Sequence, residues 1–551
     1  PDFIGWLQEE GMDMLIQLGS RLGPLATRGE PWVFVAHKGH APIFESLIIS
    51  RNSSTMDASP LAFSGTISVF PGRQCPWYKE PELVTKAEFC ETYEGYHRFC
   101  DCQHPLHLHP GMAPYLQLEE VIPVALVTAR RFPTVLRQVQ QLWQSPGGSQ
   151  TPLAILVDGH NTQAHMLAQI LNITAIFHDN PVPKGTKHRV NQHIKFSLRT
   201  IFELYPEVDK AIILEDDLSL APDFISYFQQ TSLLMSVDKT VLCVNAYSYS
   251  AFPHTASDPS RIYRVHSYPY YGWMTSRVHA LTMLGNWAPL DINADWDLYV
   301  RHYHVDATHE VIIPEVPRTR HEGGGGVHVT GLEQETTYDQ RPLNTLHNVT
   351  INLRRQWHLA YALDLMATIK GATVVKITKH PCVEYPIPKY LKDKTHVIYI
   401  YVTSEEDKEH SFTVLGKKVP WSASRCSARF QQDGHSACSA HAQCVDDDKF
   451  DRVACLGFYY QNLHESYHGT VSFKFFETPV ILIPCHSTVY CDEVPDSLIY
   501  RPTKADFTYA KKHSWKHTNS TAQLLWRAPP RYPEEEFNLI NVRGVEIHII
   551  E

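Results

Sequence analysis

The chain carries consecutive carboxylates, Glu215-Asp216-Asp217, at the end of a short apolar run, Ala211 to Leu214. That run has the length and β-branched content of a buried strand. Two unit charges about 4 Å apart repel by roughly 1 kcal/mol in water and by about 4 kcal/mol at the effective dielectric near a protein surface. Acids crowded at the tip of a buried strand therefore want a cation. In an open α/β sheet, the carboxyl end of a strand is where ligands bind. Carboxylates there suit a hard divalent metal that also holds substrate phosphates. The alternative is a solvated acidic turn, and this stretch alone does not choose between the two.

The elements that must position these acids read as strands alternating with helices. Ile122 to Thr128 is a strand, followed by Arg130 and Arg131, and Pro133 opens a helix that runs to Trp143. Leu153 to Val157 is a second strand, ended by Asp158-Gly159, and Thr162 to Leu171 a second helix. Thr174 to His178 is a third strand and Val190 to Leu204 a third helix, after which comes the acid-tipped strand. This alternation predicts a doubly wound α/β sheet. No GxGxxG follows the first strand, which argues against a dinucleotide coenzyme. Beyond Asp217, Val241 to Ala246 reads as a strand, and Val311 to Val316 as an exposed or edge strand. Asp295-Trp296-Asp297 opens a short helix, with Asp295 as a possible cap and Asp297 in a first turn that suits an acid. Gly323 to Gly326 fits either a loop closing over a ligand or a plain surface loop.

At 551 residues, 43% hydrophobic and 20% charged, the chain has the composition of a multidomain globular protein. A net charge of −10 without a basic block argues against a nucleic-acid partner. No apolar run reaches membrane-spanning length. The chain begins at Pro1 without a Met, so a removed upstream membrane anchor is expected. The 12 Cys cluster before residue 103 and after residue 425, apart from Cys243 and Cys382. Together with the Asn-X-Ser/Thr triplets at Asn52, Asn172, Asn348 and Asn519 they point to disulfides in an oxidising compartment.

The ends have a different texture. The helix-spaced Leu7, Met14, Leu15, Leu18 and Leu22 and the strand Trp32 to Ala36 read as part of a small domain. Val397 to Val402 and Gly469 to Phe476 read as strands of a smaller α+β or mostly β region. The expected organisation is a partial stem domain at 1–72, a Cys-containing linker at 73–118, an α/β domain at 119–380, and a disulfide-rich region at 381–551.

These motifs, in this order and spacing, resemble the N-acetylglucosaminyltransferase I family. They are Arg189-Val190-Asn191-Gln192-His193, Leu214 to Leu218, Tyr271-Gly272-Trp273, Asp295-Trp296-Asp297 and Ile313-Pro314-Glu315-Val316. Phe89-Cys90 through Cys100-Asp101-Cys102 is similar to the branch acting on O-linked mannose, and residues 28–39 resemble the closing strand of an ILEI-type domain. The resemblance implies a GT-A fold, UDP-GlcNAc as donor, Mn²⁺ as cofactor, a mannose-bearing glycoprotein as acceptor, inversion at the anomeric carbon, and a Golgi-lumenal or secreted location. It makes Asp217 the metal ligand, places Asp216 on the ribose and Glu215 on the donor GlcNAc, and puts Arg131, Asp158 and His193 about the uridine and phosphate. Asp297 takes the position of the catalytic base, and Trp296, Arg301 and His468 lie on the acceptor side. It also implies a Cys382–Cys455 bridge.

The chain departs from the family at Cys243, whose expected partner near Val311 is not Cys, so Cys243 is predicted to be free and buried or paired elsewhere. It also has His468 where the family has Arg, and His is not a fixed cation with a planar donor fork. A carbohydrate- or nucleotide-sugar-binding paralogue with little or no turnover is therefore the alternative to an enzyme.

Overall fold

The structure is a computed structural model. It describes residues 76–101, 115–289, 341–378, 386–402, 465–485 and 488–506 almost completely, with shorter stretches at 32–36, 44–50, 295–300, 309–322 and 522–526 and isolated residues between them. In chain order the elements are β1 (Trp32–Val35), β2 (Phe44–Ser50), α1 (Val84–Thr92), β3 (Val124–Thr128), α2 (Phe132–Gln144), β4 (Leu153–Asp158), α3 (Thr162–Leu171), β5 (Thr174–His178), α4 (Lys187–Leu204) and β6 (Lys210–Glu215). They continue as β7 (Leu218–Leu220), α5 (Phe224–Val237), β8 (Val241–Asn245), β9 (Ile262–Val265), β10 (Trp273–Ser276), α6 (Arg277–Gly285), β11 (Glu310–Pro314) and β12 (Thr319–His321). Last come α7 (His358–Gly371), β13 (Thr373–Val374), β14 (His396–Tyr401), β15 (Val471–Phe475), β16 (Thr478–Cys485), β17 (Ile499–Tyr500) and β18 (Ala522–Trp526).

Eight strands form one mixed sheet in the order β5-β4-β3-β6-β10-β8-β11-β9. β3 pairs parallel with β4 and β6, while β10 runs antiparallel between β6 and β8. The chain steps outward from β3 to β4 and β5, then returns to lay β6 on the other side of β3. The reversal of strand order thus falls between β3 and β6, where Thr128 and Glu215 end their strands. A crevice at such a reversal is the ligand site of open α/β sheets. This is the GT-A-like architecture that the resemblance implies.

The local sequence explains the elements around that crevice. α2 turns Phe132, Val135, Leu136, Val139, Leu142 and Trp143 into the core, a helical stripe that packs on one sheet face. Asn161 caps α3 by accepting from Ala164 N–H at 3.0 Å, and Asn172 ends it in a left-handed turn at φ 53°. The strand expected at the edge, β11, is instead interior. It is buried throughout and flanked by β8 and β9. β9 (Ile262–Val265), itself buried, is the edge strand on that side of the sheet.

The segment expected as a linker contains α1 and a Cys90–Cys100 bridge, and it buries Phe89, Tyr96 and Phe99 in the main core. Tyr96 also accepts from Gln163 of α3 at 2.8 Å. A second sheet, β13-β14-β16-β15 with β17 beside β14, forms the C-terminal region. Leu365 and Ile369 of α7 pack on Val397, Tyr399, Ile481 and Ile483 of that sheet. Helix α7 and β13 therefore join the C-terminal layer, although they precede residue 381. Cys485–Cys491 closes a loop there. Cys382 and Cys455 lie outside the described residues. Cys243 is free and buried, and Val311 is its register partner across β8 and β11. Asn172 and Asn348 are exposed, and Asn52 and Asn519 lie outside the described residues.

Candidate functional site

β6 is buried from Lys210 to Leu214, so packing on both faces fixes where its last residue, Glu215, emerges. Asp216 and Asp217 make the turn and β7 follows. Gln138, buried on α2, donates its side-chain amide to the carbonyls of Glu215 (2.6 Å) and Leu218 (2.9 Å) and so clamps both ends of the turn. Thr128 Oγ1 donates to Asp216 Oδ2 at 2.6 Å. β12 pairs antiparallel with β7 and places His321 Nε2 3.2 Å from Asp217 Oδ2. Arg131, at the start of α2, brings Nη1 to 3.9 Å from the same oxygen. Tyr271 and Gly272, at φ 45° and 85°, turn the chain tightly into β10, and Thr319 Oγ1 donates to the Tyr271 carbonyl at 2.6 Å. The Tyr271 ring lies 5.2 Å from His321, and its hydroxyl is 2.7 Å from that of Tyr338.

The acids respond differently to this crowding. Burial, and then the charges of Asp217, Asp297 and Asp216, push Glu215 well above the usual carboxylate range. Burial raises Asp216, and Arg131 and the Thr128 hydrogen bond only partly offset it. Burial also acts to raise Asp217, but the charge and hydrogen bond of His321, with Arg131, outweigh it and hold the carboxyl at about 2. Half-buried, like-charged oxygens at a strand's carboxyl end, one of them ionised even in acid, fit a hard divalent cation. Asp217 is the residue that would hold it. Gln138→Ala is expected to cost about 2 kcal/mol of folding stability by leaving buried carbonyls unpaired. It should also weaken any divalent-cation binding at the turn, both effects being read by denaturant titration with and without the cation.

A second group flanks the crevice at the ends of β4 and β5. Arg189, in the first turn of α4, forks onto Asp158 with Nε–Oδ2 at 2.7 Å and Nη2–Oδ1 at 2.9 Å. His193, one turn further, faces the Leu156 carbonyl through Nε2 at 3.1 Å and His178 Nδ1 through Nδ1 at 3.3 Å. The His178 ring stacks on Phe196 at 4.2 Å. Burial is the main cause that lowers His193 from 6.5 to about 4, so the buried imidazole is neutral near pH 7. The unfolded chain then binds the proton that the folded chain refuses. Stability is full above pH 6.5 and falls as the pH drops toward 4, by on the order of 3 kcal/mol from this group. His193→Gln should flatten that slope in denaturant titrations across the window.

The 295–297 segment docks on the same helix. Lys187 Nζ meets Asp295 Oδ2 at 3.0 Å, and Asn191 Oδ1 accepts from Trp296 N–H at 3.1 Å. Asp297 is half-buried, and its charge acts on both Glu215 and Tyr249. Asp297 and Asp217 therefore bear on one carboxyl, Glu215, from opposite parts of the sequence. Trp296 is buried between Trp273 and Trp287, at centroid distances of 5.7 and 6.1 Å, so its ring packs in the lower core. Arg301 and Gly323 to Gly326 lie outside the described residues.

His468 is not brought to these acids. It lies against His266 and Glu310, at the amino-terminal end of β11. β8 and β11 run parallel to β6, so this is the opposite end of the strands from the acidic turn. The structure thus does not bring His468, expected on the acceptor side, to the acidic crevice. Gln138, Thr128 and His178 join the site without a local sequence signal, and His321 joins it from the stretch just before the glycine run.

A plant relative, alpha-1,3-mannosyl-glycoprotein 2-beta-N-acetylglucosaminyltransferase of Arabidopsis thaliana, is 27% identical over 245 residues, 42% of this chain and 53% of the relative. The chain thus matches about half the length of that curated relative. A solved structure described as GalNAc-T7 with UDP, GalNAc and Mn2+ overlaps 37% of this chain and 44% of its own, with 10% identity and a TM-score of 0.27, too low to argue from. The family model described as GNT-I family matches residues 110–401, more than half of the chain, and includes the acidic turn, α4 and Asp297. The chain belongs to the GNT-I family.

Proposed function

We propose that this protein is an inverting glycosyltransferase that moves GlcNAc from UDP-GlcNAc to the 2-hydroxyl of a mannose on a glycoprotein. The proposed setting is the Golgi lumen, reached through an upstream anchor, or the secreted pool. The observation that carries the reading is the convergence of Asp217 and Asp297 on Glu215 at the strand-order reversal, in a chain of this family.

A bound Mn²⁺ supplies charge neutralisation at the diphosphate leaving group. Asp217 would hold it, with His321 fixing the carboxylate's orientation from behind. Asp216, tied to Thr128, is poised to accept from the ribose hydroxyls, and Glu215 from a hydroxyl of the donor sugar. Arg131 faces the phosphates and offsets their charge. The neutral His193, the His178–Phe196 stack and the Arg189-anchored Asp158 offer a flat, hydrogen-bonding slot for the uracil ring. Asp297 takes the proton of the attacking mannose hydroxyl, a poor nucleophile that needs a base within hydrogen-bond reach. Inversion requires one displacement and one base, and no second carboxylate acting as nucleophile.

The test is GlcNAc transfer from UDP-GlcNAc to a panel of mannosyl peptides and glycans with Mn²⁺, the product linkage being read by NMR. A β-1,2 product on mannose is expected. Thermal stabilisation by UDP-GlcNAc with no transfer to any acceptor would instead favour a sugar-nucleotide-binding protein.

A further inference from the structure

We infer that His266, Glu310 and His468 form a second divalent-cation site, of the kind zinc takes, which clasps the turn before β15 to the far edge of the eight-stranded sheet. His266 directly follows β9, Glu310 opens β11, and His468 sits on the turn that leads into the C-terminal sheet. These residues come from separate parts of the chain, yet each offers a ligand atom, and those atoms all lie within 4.8 Å of one another. The imidazole rings of His266 and His468 are 4.8 Å apart and nearly perpendicular. The backbone already holds the turn in place, because His266 N–H donates to the Ser466 carbonyl at 2.7 Å.

Charge favours a cation there. Arg264 is fully buried and is the shared partner of two carboxylates, Glu310 through Nε and Asp238 through Nη1 at 2.9 Å. One positive and two negative charges leave a net negative charge at the base of the sheet. His358 Nδ1 lies 2.9 Å from Glu310 Oε1 and offers a further imidazole at the same oxygen. A carboxylate has about four lone-pair sites, so Glu310 can keep Arg264 and His358 and still bind an ion. Imidazoles with one carboxylate suit Zn²⁺ at about 2.0–2.2 Å. Reaching that distance requires the group to draw in, and His468 is its exposed member.

The backbone supports the same reading. His468 is a non-glycine residue at φ 43°, followed by Gly469 at φ 83°. Such a left-handed residue persists where the surroundings fix it, and it often marks a ligand clamp. The site is separate from the acidic turn, since the two lie at opposite ends of the strands. Its role is to couple the C-terminal layer to the sheet that carries the crevice.

The experiment uses the full chain after removal of bound metal with a chelator. The Asp217→Asn variant serves as the parent, so that ions held by the acidic turn do not contribute. Zn²⁺ is titrated by calorimetry and thermal unfolding, and Co²⁺ by its visible absorption. The expected result is one tightly bound equivalent that raises Tm and gives a Co²⁺ spectrum with nitrogen ligands. His468→Ala, on an exposed turn and checked for fold by circular dichroism, should weaken Zn²⁺ binding by more than about tenfold and abolish the spectrum, and His266→Gln should do the same. Absence of a bound equivalent in the parent, or unchanged affinity and spectrum in a folded His468→Ala protein, would overturn the proposal. So would a clasp stabilised by pH alone and indifferent to Zn²⁺.

Discussion

Asp217→Asn is expected to lower kcat/KM for Mn²⁺-dependent GlcNAc transfer by about 10³-fold or more. Losing a metal-held charge on the leaving diphosphate is worth several kcal/mol of transition-state stabilisation, and each tenfold in rate is about 1.4 kcal/mol. The substitution keeps the shape of the turn. Gln138 still clamps the Glu215 and Leu218 carbonyls, and Glu322 N–H still donates to the Asp217 carbonyl at 2.7 Å. Removing the charge that His321 and Arg131 hold should lower Tm modestly, and relief of repulsion at Glu215 offsets part of that loss. The informative measurement pairs activity with Mn²⁺ affinity: both should collapse while the variant still unfolds cooperatively. Transfer at the parent rate in the folded variant would remove Asp217 from the metal site.

Asp297→Asn should have the next largest effect, a fall in kcat of about 10² to 10⁴, the usual contribution of general base catalysis. Its neighbours predict what should not change. Asp295 remains paired with Lys187 and Trp296 remains held by Asn191, so the segment keeps its seat on α4. UDP-GlcNAc affinity, measured by calorimetry without acceptor, should therefore stay within a few-fold. A variant that loses donor binding and turnover together would show that Asp297 organises the donor site and does not act as the base. The two substitutions thus fail in different ways, one through the ion and the other through the proton.

Much of the crevice was legible in the sequence because it is built from consecutive residues with a strong pattern. The run from Ala211 to Leu214 is apolar and β-branched, so a buried strand tipped by Glu215, Asp216 and Asp217 followed directly. The helix read over Thr162 to Leu171 is α3 as found, and in the structure Asn161 and Asn172 cap its two ends. What escaped was set by contacts between distant segments. Gln138 looks like any polar residue on a helix until α2 packs over the turn, and His321 reaches Asp217 only because β12 pairs with β7. β11 was read as an exposed or edge strand; Pro314, which lacks an N–H, is only its last residue, and β9 covers it. His468 was expected on the acceptor side because it stands where the resembled family has Arg, and its neighbours are set by which end of β11 it meets. Trp296 was expected on the acceptor side, and its ring lies between those of Trp273 and Trp287 in the core, a contact set by folding and not by local sequence.

The first and last described strands share a neighbour. β1 and β18 both pair antiparallel with β2, Ser50 lying opposite Ala522 and Trp32 opposite Leu47. That sheet joins residues from the two ends of the sequence, and the entropy of closing so long a loop must be met before its contacts form. It is therefore the part expected to assemble last during biosynthesis, after everything between its strands has already been made and folded. Shortened expression products that stop after β17 would leave one side of β2 as an open edge, a template for pairing between molecules.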